Sequence, residues 1–144
     1  MPDYDPDLLS LANDVRVACQ RISRRVRFES TSDVAPHQFS VLVFLHFTGP
    51  QTPTQLAARD AVSTPSMTRT VNCLADKGLV ERSPHPQDGR QILVSLTDEG
   101  RRVVEQTIAS RDTWMLAHIA TLSPEQLDLL RRAADILMEV SHAE

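Results

Sequence analysis

Apolar residues at Leu8, Leu11, Ala12, Val15, Cys19, Ile22 and Val26 recur at helical spacing. They predict a long amphipathic helix over 7–29, broken by Ser30-Thr31-Ser32-Asp33. A second helix opens at Pro36, where the preset φ of proline suits a first turn. It continues through "HQFSVLVFLHF", apolar on most faces and therefore expected to be buried, and stops at Thr48-Gly49-Pro50. One start signal then repeats: a hydroxyl residue followed by proline, at Thr52-Pro53, Thr64-Pro65 and Ser123-Pro124. The hydroxyl caps free backbone N–H groups, and proline lacks an N–H where none is needed. Gln55 and Gln126 complete the capping-box spacing in two of these places. Helices are thus expected near 53, 65 and 124, the second of them stopped by Gly78.

After Gly78 the period changes. Leu79 to Ser83 can form a strand, and Ile92, Val94 and Leu96 alternate with Leu93, Ser95 and Thr97, the period-two signature. The turn "HPQDG" lies between them. Thr97 is placed to cap a helix over 98–121, with Asp98 and Glu99 in the first turn, where the helix dipole favours acids. The last helix, from 124 to about 141, carries two apolar stripes. One holds Leu127, Leu130, Ala134 and Leu137, the other Leu129, Ala133, Ile136 and Val140. Two stripes call for cover on two sides, which a small monomer can hardly supply.

The 144 residues suit one domain, and 41% hydrophobic with 24% charged residues is ordinary globular usage, so neither disorder nor a fibrous chain is indicated. No apolar run approaches the roughly 20 residues of a membrane span. The start "MPDYDPD" is acidic and lacks the order of a signal peptide, so a cytoplasmic location is expected. A net charge of −4 argues against indiscriminate nucleic-acid binding but not against a local basic patch. The charge is uneven. Arg16, Arg21, Arg24, Arg25 and Arg27 crowd the first helix behind Asp3, Asp5 and Asp7, and Glu139 and Glu144 stand at the far end.

Short helix, tight turn, short helix, hairpin is the order of a winged helix-turn-helix. In that motif the second helix enters the major groove and shows base-reading side chains. Projected on a helix, Met67, Val71 and Leu74 face inward. Ser66, Arg69, Asn72 and Cys73 face outward, with Thr68 and Thr70 beside them and Thr64 at the start. Small hydroxyl residues permit close approach, and the fork of Arg69 suits a guanine edge or a phosphate. The expected fold is therefore mainly α with one small β-hairpin. A winged helix-turn-helix region over 36–97 is followed by a connecting helix over 98–121.

The stretch "LVERSPHPQDGRQILVSLTDEG" resembles the wing of the MarR-type winged-helix transcriptional regulators. The family's strand motif appears as Gly78-Leu79-Val80-Glu81-Arg82, its wing tip as Asp88-Gly89-Arg90, and its helix start as Leu96-Thr97-Asp98-Glu99-Gly100. "STPSMTRTVNCLADKGLV" is similar to its recognition helix, with Arg69 at an often basic position. The resemblance runs over nearly the whole chain, a single domain of 1–144. It implies a homodimer on pseudo-palindromic operator DNA, joined by helices 7–29 and 124–142, and a function as a transcriptional regulator of the repressor kind. Arg90 would enter a minor groove, where a narrow A·T-rich stretch concentrates negative potential. Asp88 would pair with that arginine and orient it, although Asp88-Gly89 also suits a plain hairpin turn.

The resemblance further implies release by a small molecule bound between the first, second and fifth helices. Arg16, His37, Phe44, His46, Phe47, Trp114 and His118 are the candidates for that pocket, with Phe44, Phe47 and Trp114 read first as core. Family members that sense oxidants raise the question of Cys19 and Cys73. Cys19 lies on the apolar stripe and is expected to be buried, while Cys73 is expected to be the more exposed, on the outward face of its helix. The two cysteines lack the spacing of a disulfide framework or zinc site. His37, His46, His85, His118 and His142 form no ligand pair, so no metal or other cofactor is expected. An enzyme is disfavoured, since nucleophile elbow, phosphate-binding glycine loop and clustered acid–base set are all missing from the sequence. A winged-helix protein-interaction module is the competing class, and it would have no use for Arg69 and Arg90 together.

Overall fold

The computed structural model describes residues 4–29 and 33–143. The expected break at Ser30–Ser32, Asp3 and Glu144 lie outside the described residues. Eight elements follow in order: α1 (Pro6–Phe28), α2 (Pro36–Thr48), α3 (Pro53–Arg59), α4 (Thr64–Asp76), β1 (Val80–Pro84), β2 (Ile92–Leu96), α5 (Asp98–Ile119) and α6 (Pro124–Ser141). This is a mainly helical chain with one antiparallel hairpin, as the change of period predicts.

Capping chemistry sets most of the boundaries. The Thr52 and Ser123 hydroxyls accept the N–H groups of Gln55 and Gln126 at 3.2 Å each, and the glutamines bond back to the cap N–H groups. The Thr97 hydroxyl accepts from Gly100 N–H at 3.0 Å and starts α5. The start of α4 departs from expectation. Its cap is Ser63, extended at φ −69° and ψ 150°, whose hydroxyl accepts from Ser66 N–H, and Thr64 already lies inside the helix. A proline at the second helical position is as harmless as one at the first, because neither N–H has an intrahelical partner. Gly78, at φ +71°, turns the chain from α4 into β1 by letting Leu79 N–H reach Leu74 O.

The core lies inside α2, α3, α4, the hairpin and the first half of α5. Leu42, Leu56, Leu74, Val41, Val94 and Val104 are fully enclosed there, each large aliphatic side chain contributing roughly 1.5–3 kcal/mol. The hairpin pairs Val80 with Leu96 and Pro84 with Ile92, so Val80 and Val94 point inward. On the other edge of β2, Gln51 exchanges two backbone hydrogen bonds with Val94, at 2.8 and 3.1 Å, a bridge the alternation pattern does not reveal. The hairpin is thus bonded on both sides of β2. Gly100 is required by close approach, since a Cβ there would stand 2.0 Å from Leu79 O.

The outer helices behave differently. Neither α1 nor α6 buries a single side chain within the chain. Leu8, Leu11 and Ile22 of α1 are exposed, as are Leu129, Leu130, Ile136 and Val140 of α6. Cys19, expected to be buried on the stripe, is exposed, because no neighbouring element among the described residues covers that part of α1. Phe47 is also not core: it is 73% exposed, in the last turn of α2 beyond the packed layer. No helix among the described residues is long and apolar enough to cross a membrane.

Candidate functional site

Helix α4 divides as its spacing predicts. Met67, Val71 and Leu74 are buried, while Thr64, Ser66, Thr68, Arg69 and Asn72 are exposed and Thr70 is half-buried. The Thr68 and Thr70 hydroxyls donate to the carbonyls of Thr64 and Ser66, at 2.9 and 3.4 Å. In this arrangement each hydroxyl shows a visitor its lone pairs. Asn72 is held from β1: the Arg82 guanidinium donates to Asn72 Oδ1, which leaves the carboxamide N–H₂ free to point outward. Arg82 therefore ties hairpin to helix, a role its place in the strand motif does not announce.

Cys73 departs from expectation. It is half-buried, and Gln38 Nε2 of α2 donates to its sulfur at 3.1 Å. It is turned toward α2 and is less exposed than Cys19, the reverse of the order read from the sequence. Its position near the outward row is lost because α2 packs beside that flank.

The hairpin tip carries Asp88, Gly89 and Arg90, all exposed. Asp88 Oδ1 accepts the backbone N–H of Arg90 at 3.1 Å, and Asp88 O accepts from Gln91 N–H at 2.9 Å. The expected pairing with the Arg90 guanidinium is not formed. The ion pairs among the described residues are Arg59–Asp60, Arg102–Glu99 and Arg132–Asp128. A carboxylate held in a tight turn reaches the amide two residues on more easily than a long side chain folding back. His85, read from the sequence as one scattered histidine, also belongs to this tip: its Nδ1 accepts from Gln87 and Asp88 N–H.

Between the start of α3, the start of α4 and the hairpin lies an open cleft of about 540 Å³. Thr64 and Thr68 line one wall, His85 and Arg90 the other, and Thr54 and Gln55 the floor. Residues 64, 68 and 90, far apart in sequence, thus share one concave surface. No ion pair engages Arg69 or Arg90 among the described residues, so both cations are available to an anionic polymer.

A second region lies where α1, α2 and α5 meet, the three helices expected to wall a pocket. Two adjoining hollows of about 330 and 350 Å³ share Arg27, Pro36, Phe39 and Arg111. Arg24, Phe28 and Val34 complete the first. Arg111 stacks over the Phe39 ring at 4.5 Å, and its buried Nε has no hydrogen-bond partner among the described residues. Burial first, and the neighbouring Arg27 charge second, push the Arg111 guanidinium below its ordinary pKa. A site that disfavours its own cation in this way gains from an incoming anion.

None of the seven residues expected at this pocket lines either hollow. Arg16 is exposed on α1, bonded to Asn13 and Gln20. Phe44 lies under the Arg59 guanidinium at 4.5 Å. His37 and Phe47 are exposed, and His46 packs edge-on against Phe47. Trp114 and His118 stack on each other at 3.9 Å, one turn apart along α5. The helices were readable from sequence, but which turn of each faces the gap depends on how they cross. Basic residues one turn apart near the end of α1, Arg24 and Arg27, were the available signal.

Comparison with known proteins adds an independent line. The family described as MarR family matches residues 34–92. An uncharacterized HTH-type transcriptional regulator from Mycobacterium bovis is 43% identical over 129 residues, covering 89% of this chain and 90% of that protein. The multiple antibiotic resistance protein MarR of Salmonella typhimurium is 38% identical over 105 residues, covering 72% and 73%. Among solved structures, a MarR family protein from Bacillus stearothermophilus superposes with a TM-score of 0.85 over 99% of this chain and 100% of that one. At 20% identity it is a likeness of fold.

Proposed function

The chain belongs to the MarR family of transcriptional regulators, and on that premise we propose that it is a dimeric repressor of a pseudo-palindromic operator, released by a small organic anion. It is a DNA-binding regulator and not an enzyme. The observation that carries the operator reading is the shared cleft. Thr64 and Thr68 of α4 and Arg90 of the hairpin line one concave surface, and Arg69 is exposed on the same helix with no ion pair among the described residues. In this reading α4 enters the major groove with Ser66, Arg69, Thr70 and Asn72 toward the bases and phosphates. The tip Asp88-Gly89-Arg90 puts its arginine against the neighbouring minor groove. In this reading the protein acts in the cytoplasm.

The dimer reading is supported by the exposed apolar residues of α1 and α6, helices with no fully buried side chain among the described residues. Contiguous apolar surface of this kind marks an association site. The effector reading is supported by the hollows at α1, α2 and α5. Their wall of Phe28 and Phe39 suits an aromatic body, and Arg24, Arg27 and Arg111 suit a carboxylate. An anion there would draw α1 toward α2 and α5, altering the spacing of the two recognition helices.

Selection of bound DNA from a random library tests the operator reading. Enrichment of one palindrome, with affinity falling steeply as salt rises, is the expected outcome. Recovery of unrelated sequences with no salt dependence would favour a protein-interaction module instead.

A further inference from the structure

We propose that His85 is the residue that positions Arg90, by closing the hairpin tip through an imidazole nitrogen that must stay unprotonated. The proposal rests on the operator reading above and deepens it. Gln87 N–H and Asp88 N–H donate to His85 Nδ1 at 3.1 and 3.3 Å. Residue 86 is proline and has no N–H, so every amide hydrogen between His85 and Gly89 goes to that one atom. His85 N–H donates to Gln91 O at 2.9 Å, which shuts the loop on its other side.

A ring nitrogen that accepts two N–H groups carries no hydrogen of its own. The ring hydrogen therefore sits on Nε2. The side chain is half-buried and lines the same cleft as Arg90. Residues 86–91 are all exposed, so no apolar packing holds the tip. Its shape depends on polar closure alone. Asp88 then passes that order on, since its amide is fixed by His85 while its carboxylate fixes the amide of Arg90. His85 touches no reacting partner in this scheme. It sets the direction from which Arg90 leaves the turn.

The test compares His85→Ala, His85→Asn and Arg90→Ala in the full-length protein, with operator affinity and amide hydrogen exchange as readouts. Alanine should weaken operator binding about tenfold, the equivalent of one to two hydrogen bonds. It should also speed exchange at Gln87 and Asp88 without DNA present. Asparagine should restore most of the affinity, because its carboxamide oxygen accepts from amides two and three residues on. Nitrogen chemical shifts should show the Nε2–H ring in the wild type. An alanine variant that binds and exchanges as the wild type overturns the proposal. So does an asparagine variant as weak as alanine. If the wild type and Arg90→Ala share one weak, sequence-blind affinity, the operator reading fails instead, and amide exchange still decides whether His85 closes the turn.

Discussion

At the scale of single residues, Arg90 and Arg69 are separable by experiment. Arg90→Ala should cost roughly 1–3 kcal/mol of operator affinity if the wing contact is specific, measured by fluorescence anisotropy on the selected site. Arg69→Ala should weaken binding too, and should relax the preference at one base pair if it reads an edge. Equal loss on all sequences would assign Arg69 to phosphate. Arg111 answers a different question, because it stacks over Phe39 and its buried Nε has no partner among the described residues. Arg111→Gln should weaken binding of benzoate-like anions by roughly 1.5–3 kcal/mol, the worth of a charge-assisted hydrogen bond, read by calorimetry. An unchanged heat of binding would place the effector elsewhere. Asp88-Gly89-Arg90 was legible from the motif alone, whereas His85 was not, because its role is a bond to amides two and three residues on and leaves no pattern in composition.

At the scale of elements, caps and turns do most of the specifying. Ser63→Ala should cost about 1 kcal/mol of stability in chemical denaturation, as loss of an N-cap does. Thr64→Ala should cost less, since Thr64 is already inside α4. The opposite ranking would return the cap to Thr64. Gly100→Ala should destabilise by roughly 1–3 kcal/mol, because the added methyl meets the Leu79 carbonyl, whose oxygen also accepts from Thr97 N–H. A neutral result would mean that α5 can slide on the hairpin. The hydroxyl–proline pairs mark the starts of α3 and α6 and place that of α4 one residue late, while alternation marks β2. The Gln51–Val94 bridge escaped notice because a single bridging residue has no periodicity to detect.

At the scale of the molecule, α1 and α6 are the elements whose apolar stripes stay largely exposed among the described residues. Leu129→Asp combined with Ile136→Asp should convert a dimer into a monomer in analytical ultracentrifugation and abolish high-affinity operator binding. The thermal unfolding of the winged region should persist, since its core holds no α6 residue. A doubly substituted protein that sediments as a dimer would move the interface off α6. Cys19 and Phe47 belong to the same lesson. Each looked like a core residue by pattern, yet pattern reports only that a face is apolar, and what covers that face is a matter of tertiary and quaternary contact.

The elements, the buried row of α4 and the hairpin with Arg90 at its tip are all legible in the chain's local pattern. Those follow from local rules: helical and alternating periods, caps and turn residues act within a few positions of one another. Packing across the whole core brings Thr64, Thr68 and Arg90 into one cleft, turns Cys73 to Gln38, and lines the hollow at α1, α2 and α5 with Arg24, Arg27 and Arg111. The reason is geometric. Which turn of one helix meets which turn of another is set by crossing angles and side-chain volumes summed over the whole core, and no short window of sequence contains that sum.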